Sequence, residues 1–170
     1  MALIKSYKGI HPTLHHKVYL AETAVVVGDV EIGTDSNIWY GAVIRGDVEP
    51  IKIGKGTNIQ DGAMLHTSTD RVPCIVGDYV TVGHHAILHG CTIHDEVLIG
   101  MGAVVLDEAV VPSHTLIAAN AVVTEGSKLE GGFIYAGVPA RKIKALSPEQ
   151  IADFRANAEH YIEHAKEHGF

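Results

Sequence analysis

The chain has 170 residues, 46% apolar and 19% charged, which suits one cored domain and is too apolar for a disordered one. Its formal net charge of −7 argues against a nucleic-acid partner, which would want a basic face. No apolar run approaches the ~18 residues of a membrane span, the N-terminus lacks the apolar core of a signal peptide, and the cysteines, Cys74 and Cys91, set no disulfide framework, so a reduced, cytoplasmic setting is expected.

Residues 1–18 read as a lead-in, an irregular strand and a turn at His11–Pro12. From residue 19 to 125 aliphatic residues recur at every sixth position: Leu20, Val26, Ile32, Ile38 and Ile44, then Ile53, Ile59 and Leu65, then Val76, Val82 and Leu88. The series continues through Ile93, Ile99, Val105, Val111, Ile117 and Val123. A short fixed period marks a solenoid. A period of six fits neither a helix, at about 3.6, nor the alternation of one long strand. It fits strands of about four residues, each ended by a turn, with three sides to a coil of about 18 residues. That pattern is an all-β solenoid, a left-handed parallel β-helix.

Two interruptions, Pro50–Lys52 and Arg71–Ile75, are expected to leave a corner as loops. The hexad beginning at Leu88 is one residue short, which implies a tightened corner beside His89. After Glu125 the pattern fades, and Phe133–Val138 reads as an extended piece. Ser147-Pro148-Glu149-Gln150 is a helix start, with a Ser cap, Pro in the first helical position and Gln three residues after the cap. Ile151, Phe154, Ala158, Tyr161, Ile162 and Ala165 form its apolar face. The expected organisation is a β-helix domain over 1–146, with its lead-in and terminal extended segment, and a C-terminal helix over 147–168. The helix is expected to pack along the solenoid or onto a neighbour, with covering an exposed coil or strand edge as one role.

The six-residue frame gives three histidines a geometry. His66 follows the core residue Leu65 and His89 follows Leu88, and their separation of 23 residues is one coil plus an insertion of about five. They should share a column, with strands roughly 4.8 Å apart, close enough for two imidazoles to share a metal. His84 belongs to the preceding hexad, and at about 3.3 Å per extended residue it should lie on the order of 15 Å from His89, around a corner. A neighbouring subunit could supply it: in a threefold ring each interface would join His66 and His89 of one chain to His84 of the next. Three neutral imidazoles leave coordination positions open, as in a catalytic site. Zn(II) is the expected ion, with Fe(II) as main rival and Co(II) also suited to imidazole.

The segments Ile44-Arg45-Gly46-Asp47, Asn58-Ile59-Gln60-Asp61-Gly62, Leu65-His66 and Val82-Gly83-His84-His85-Ala86-Ile87-Leu88-His89-Gly90-Cys91 resemble the γ-class carbonic anhydrases and their hexapeptide-repeat relatives. The resemblance continues through Ile99–Val105 and Tyr135–Ala140, and covers about residues 10 to 146. It implies a homotrimer with a metal at each subunit interface and reversible hydration of carbon dioxide to bicarbonate. It further implies that Arg45 and Asp47 pair across subunits, that Gln60 hydrogen-bonds the reacting water or the substrate, that Asn58 lines the site, and that Tyr135 lies near it. Asp61 falls in the column of His84, one coil below, where it can orient that imidazole.

Several positions depart from the family prototype, which carries acidic residues near the site to move the proton outward. Val48 stands where the prototype has Glu, the loop after His66 is short (Thr67 to Pro73), and Gly137 matches a site Asn. Glu49 and Asp70 are candidate substitutes. Two other readings stay open: a weak or inactive metal-binding trimer with an assembly or regulatory role, and an acyltransferase on the same fold, which would use one His as general base. His11, His15, His16, His94 and His114 are expected on the surface, and His85 should point away from the metal column, packed inward or behind it. His160, His164 and His168 recur every fourth residue on the final helix, beside Glu159, Glu163 and Glu167, and read as a solvated face, although that spacing can also hold a metal. Arg45–Asp47 could equally be a structural pair, Gln60 part of a polar ladder, and Cys91 a small buried residue.

Overall fold

The structure, a computed structural model, describes residues 1–70 and 72–169, so Arg71 of the second interruption lies outside the described residues. The chain is a left-handed parallel β-helix with one C-terminal helix. Its strands stack on three faces. The first face carries Tyr19–Leu20, Asn37–Ile38, Asn58–Ile59, Thr81–Val82, Leu98–Ile99, Leu116–Ile117 and Phe133–Ala136. The second carries Leu3–Lys5, the starts of Val25–Ile32 and Val43–Ile53, then Met64–His66, Ile87–His89, Val104–Val105 and Val122–Val123. The third carries Thr13–Leu14, the ends of the two long strands, Cys74–Val76, Thr92–Ile93 and Val110–Val111.

Register explains why the six-residue period is also the core. On the second face Ile44, Leu65, Leu88 and Val105 are successive partners, all fully buried. Side chains alternate across a strand, so the residues on either side of each core position must face out. Filling one such inward position with Leu or Ile contributes about 1.5–3 kcal/mol. Cys74 and Cys91 sit in this core as buried free thiols, and Cys91 is held well above the ordinary thiol range by its hydrogen bond with Cys74 and by burial.

Three expectations are corrected. The lead-in is already solenoid, because Leu3–Lys5 and Thr13–Leu14 pair in parallel with Val25–Ile32. Pro50–Lys52 does not leave the corner as a loop: Val43–Ile53 runs as one strand around it, and the extra residues are absorbed by a register shift opposite Gly28 and Val30. The winding does not end at Glu125, since Lys128 bridges to Val110 and Phe133–Ala136 still pairs in parallel with Leu116–Ile117.

The helix runs Pro148–Glu167 from a capping box in which Gln150 N donates to Ser147 Oγ and Ser147 N donates to Gln150 Oε1. It lies along the first face, with Phe154, Ala158 and Ala165 buried. Arg155 stacks 3.3 Å over the Tyr79 ring and reaches Glu96 on the solenoid. The helix thus covers a face rather than an edge. The open edge is carried instead by Arg141–Ala145, an antiparallel strand on Phe133–Ala136 whose Arg141, Lys142 and Lys144 discourage further pairing. Among the described residues, no helix is long and apolar enough to cross a membrane.

Candidate functional site

The candidate residues gather at the two corners that flank the second face. His66 and His89 are register partners on adjacent strands, each one step past a buried leucine, so both rings project outward from one column. His66 Nδ1 and His89 Nε2 face each other at 3.2 Å. Two nitrogens bound to one tetrahedral zinc at ~2.0–2.1 Å would lie about 3.3–3.4 Å apart, so this pair fits a shared ion without rearrangement.

Each imidazole offers its other nitrogen to a carboxylate. His66 Nε2 lies 3.0 Å from Asp47 Oδ1, and His89 Nδ1 lies 2.9 Å from Asp107 Oδ2. Such partners fix the tautomer and leave the opposite nitrogen free to ligate. Burial pulls the His66 imidazole below its ordinary range, and outweighs the opposing pull of Asp47. Burial pushes the Asp47 carboxyl up, but hydrogen bonds from Arg45 and His66 outweigh it and hold the group low. Arg45 Nη1 donates to both oxygens of its own chain's Asp47, at 2.8 and 2.6 Å, so within one chain the two form an intramolecular pair.

His84 is at the other corner, where its Nδ1 lies 2.9 Å from Asp61 Oδ2, leaving Nε2 outermost. Among the described residues, no three His, Cys, Asp or Glu of one chain converge on a metal position. His84 shares a cavity of about 230 Å³ with Gln60, Thr81, Leu98, Ile99, Met101 and Asn157 of the helix. Its polar edge is ordered by a ladder: Asn58 Nδ2 donates to Thr81 Oγ1 at 2.9 Å, and Gln60 Nε2 donates to Asn58 Oδ1 at 3.1 Å. That spends the Gln60 amide N–H on Asn58 and leaves its carbonyl oxygen for the cavity.

Between the corners the second face is apolar on its outside. Leu3, Val25, Val43, Met64, Ile87, Val104 and Val122 form one outward column by register, with Met64 43% and Ile87 37% exposed. A contiguous apolar stripe of this kind marks an interaction surface.

Two residues differ from expectation. Tyr135 is not brought to the histidines of its own chain: it is the register partner of Ile117, three coils beyond Val82, and packs in the core with its hydroxyl donating to Glu130 O. His85 is exposed at a corner with φ +57°, its ring lying over Gly62, because a left-handed corner turns the side chain out instead of packing it inward. Asp107 was not singled out by the sequence, yet it lies 18 residues after His89, one coil on, and that spacing was a usable signal.

No family model matches the chain. It is 43% identical over 162 residues to gamma carbonic anhydrase 1, mitochondrial, of Arabidopsis thaliana, covering 92% of this chain and 59% of that protein. The chain thus spans about three fifths of that plant relative's length. It is 37% identical over 161 residues to a carbonic anhydrase of Geobacillus kaustophilus, covering 95% of this chain and 88% of that one. Among solved structures, a hexapeptide transferase family protein from Anaplasma phagocytophilum superposes with a TM-score of 0.92 at 37% identity, covering 96% of each chain.

Proposed function

We propose that this chain, which belongs to the γ-class carbonic anhydrase family, hydrates carbon dioxide reversibly to bicarbonate at a metal site built between the subunits of a homotrimer. The observation that carries the reading is the 3.2 Å approach of His66 Nδ1 and His89 Nε2, each ring backed by a carboxylate on its far side. The third ligand is His84 of the neighbouring subunit. One half of the site lies at each edge of the apolar second face, so unlike edges must meet, and head-to-tail contacts of that kind close into a ring when the rotation between subunits is threefold.

The donor set, three neutral imidazoles with carboxylate partners, suits Zn(II), with Fe(II) and Co(II) as alternatives. Bound there, a divalent ion supplies Lewis acidity that brings the pKa of water from about 15.7 to about 7. The chain's own residues do the rest. Asp47, Asp61 and Asp107 hold His66, His84 and His89 in single tautomers. Gln60, fixed by Asn58, presents its carbonyl oxygen as the polar edge of the cavity, whose Leu98, Ile99, Met101 and Ala119 walls admit a small apolar gas and exclude excess water. Arg45 anchors Asp47. Tyr135, packed in the core, takes no part in its own chain's site. Val48, 38% exposed, offers no carboxyl for proton release, which then falls to Glu49, Asp70 or external buffer. The proposed setting is cytoplasmic, although the plant relative is named mitochondrial.

Stopped-flow hydration by protein loaded anaerobically with Zn(II) or Fe(II), beside His89→Ala, tests this. A rate that needs both the ion and His89 supports it. One ion per chain without any rate above the variant would sink the hydratase reading and favour a metal-stabilised assembly role. The transferase title of the solved neighbour motivates one added control: saturable coenzyme A binding would favour acyl transfer.

A further inference from the structure

We infer that Asp107 is the positioning residue that sets which nitrogen of His89 faces the metal, an inference that rests on the metal reading above. Asp107 Oδ2 takes the hydrogen of His89 Nδ1 at 2.9 Å, which leaves Nε2, the atom that faces His66, as the lone-pair nitrogen. Three features make this a built contact. The corner beside His89 is one residue short and turns at Gly90, with φ +50°. A Cβ on Gly90 would stand 2.3 Å from Asp107 Oδ1, so glycine leaves the carboxylate where it is and any side chain there would push it aside. The backbone is pinned on both sides: Glu108 N donates to Gly90 O at 2.7 Å, and Gly126 N donates to Asp107 O at 2.9 Å.

Burial ranks the three carboxylates. The Asp107 side chain is 12% exposed, against 20% for Asp47 and 40% for Asp61. Within one chain, before any neighbour covers the site, water competes least at Asp107, so its hydrogen bond constrains its ring most strongly. Asp47 is also shared with Arg45. Loss of a carboxylate behind a ligating histidine costs about 10–100-fold in metal affinity, and Asp107 should fall at the upper end, with Asp61 at the lower.

The test uses the full chain in its assembled state, with Asp107→Ala, Asp107→Asn and Asp61→Asn. Competition titration with Zn(II) reads affinity. Two-bond proton–nitrogen spectra of the histidine rings at pH 8, in metal-free protein, read the tautomer and do not depend on any ion. Expected are His89 protonated on Nδ1 in the parent chain, a shift toward Nε2–H in Asp107→Ala, and a zinc affinity lower by about 10–100-fold, with a smaller loss in Asp107→Asn and in Asp61→Asn. Asp107→Asn keeps shape and an acceptor oxygen, so it carries the test if Asp107→Ala does not fold. An unchanged tautomer in folded Asp107→Ala, or a zinc affinity equal to the parent's in either folded Asp107 variant, overturns the inference while the metal reading stands. A parent chain that binds no zinc overturns the metal reading and this inference with it.

Discussion

The chain holds its histidines in two different ways. At the corners of the second face His66, His84 and His89 each lean on a carboxylate, at 2.9 to 3.0 Å, and each keeps one nitrogen directed away from it. On the C-terminal helix His160 and His164 stack with ring centroids 5.5 Å apart, and His168 meets His164 and Trp39 edge-on at 5.7 and 5.2 Å. The first arrangement fixes a tautomer and aims a lone pair. The second leaves the rings exposed and holds them loosely, with His164 Nε2 3.9 Å from Glu167 and His168 Nδ1 3.4 Å from the Tyr40 hydroxyl. Spacing alone does not separate ligand from packing; the group behind the ring does.

The sharpest way to break this contrast is to remove one histidine from each set. His89→Ala should lower metal affinity and hydration by more than about 100-fold, beyond what an outer partner costs, whereas His164→Ala should leave both within about two-fold of the parent, as measured by metal titration and stopped flow. A metal held as tightly by the helix set would erase the distinction. Next in size, Ile87→Asp places a carboxylate in the exposed apolar column without touching a histidine. Burying it unpaired in an interface costs several kcal/mol, so sedimentation should report single chains that have lost the metal, while Ile143→Asp on the outer edge strand should remain assembled.

A pH titration sharpens the contrast further. His66 has a lowered pKa, chiefly from burial, so the unfolded chain takes up its proton first as pH falls. Its contribution to stability is therefore complete above the unfolded value of about 6.5 and is lost as pH falls through the lowered folded value. Denaturant midpoints of metal-free protein should drop over that window, and should drop less in His66→Gln. The smallest effect belongs to the packing set: His164→Ala should cost about 0.5–1.5 kcal/mol of stability through lost ring contacts, read from the urea midpoint.

What the sequence made legible follows the period. Every aliphatic residue of the six-step series from Val26 onward is buried, and the pairing of His66 with His89 follows from counting coils. What it hid depends on neighbours in space. The Pro50–Lys52 insertion stays in a strand because Val25–Ile32 alongside can absorb a register shift, which no local signal announces. The helix histidines are exposed, as their glutamate neighbours led one to expect; what stayed hidden is that Trp39 of the first face lies beside them. Tyr135 matches the family motif but takes the inward position of its strand, so a motif match gave the residue without its direction. Asp107 was within reach, because the same one-coil step that joined the histidines leads to it.

The central claim is that each site draws His66 and His89 from one chain and His84 from the next. The most direct test mixes His84→Ala and His89→Ala chains, each inactive alone, and reassembles them together. The account predicts that each mixed trimer regains one intact metal site of its three, about a quarter of the parent's sites and hydration over a randomly reassembled equal mixture, because one interface in such a ring joins an intact pair to an intact His84. Mixed trimers that form, as seen by native mass spectrometry, yet recover neither metal nor rate would contradict it.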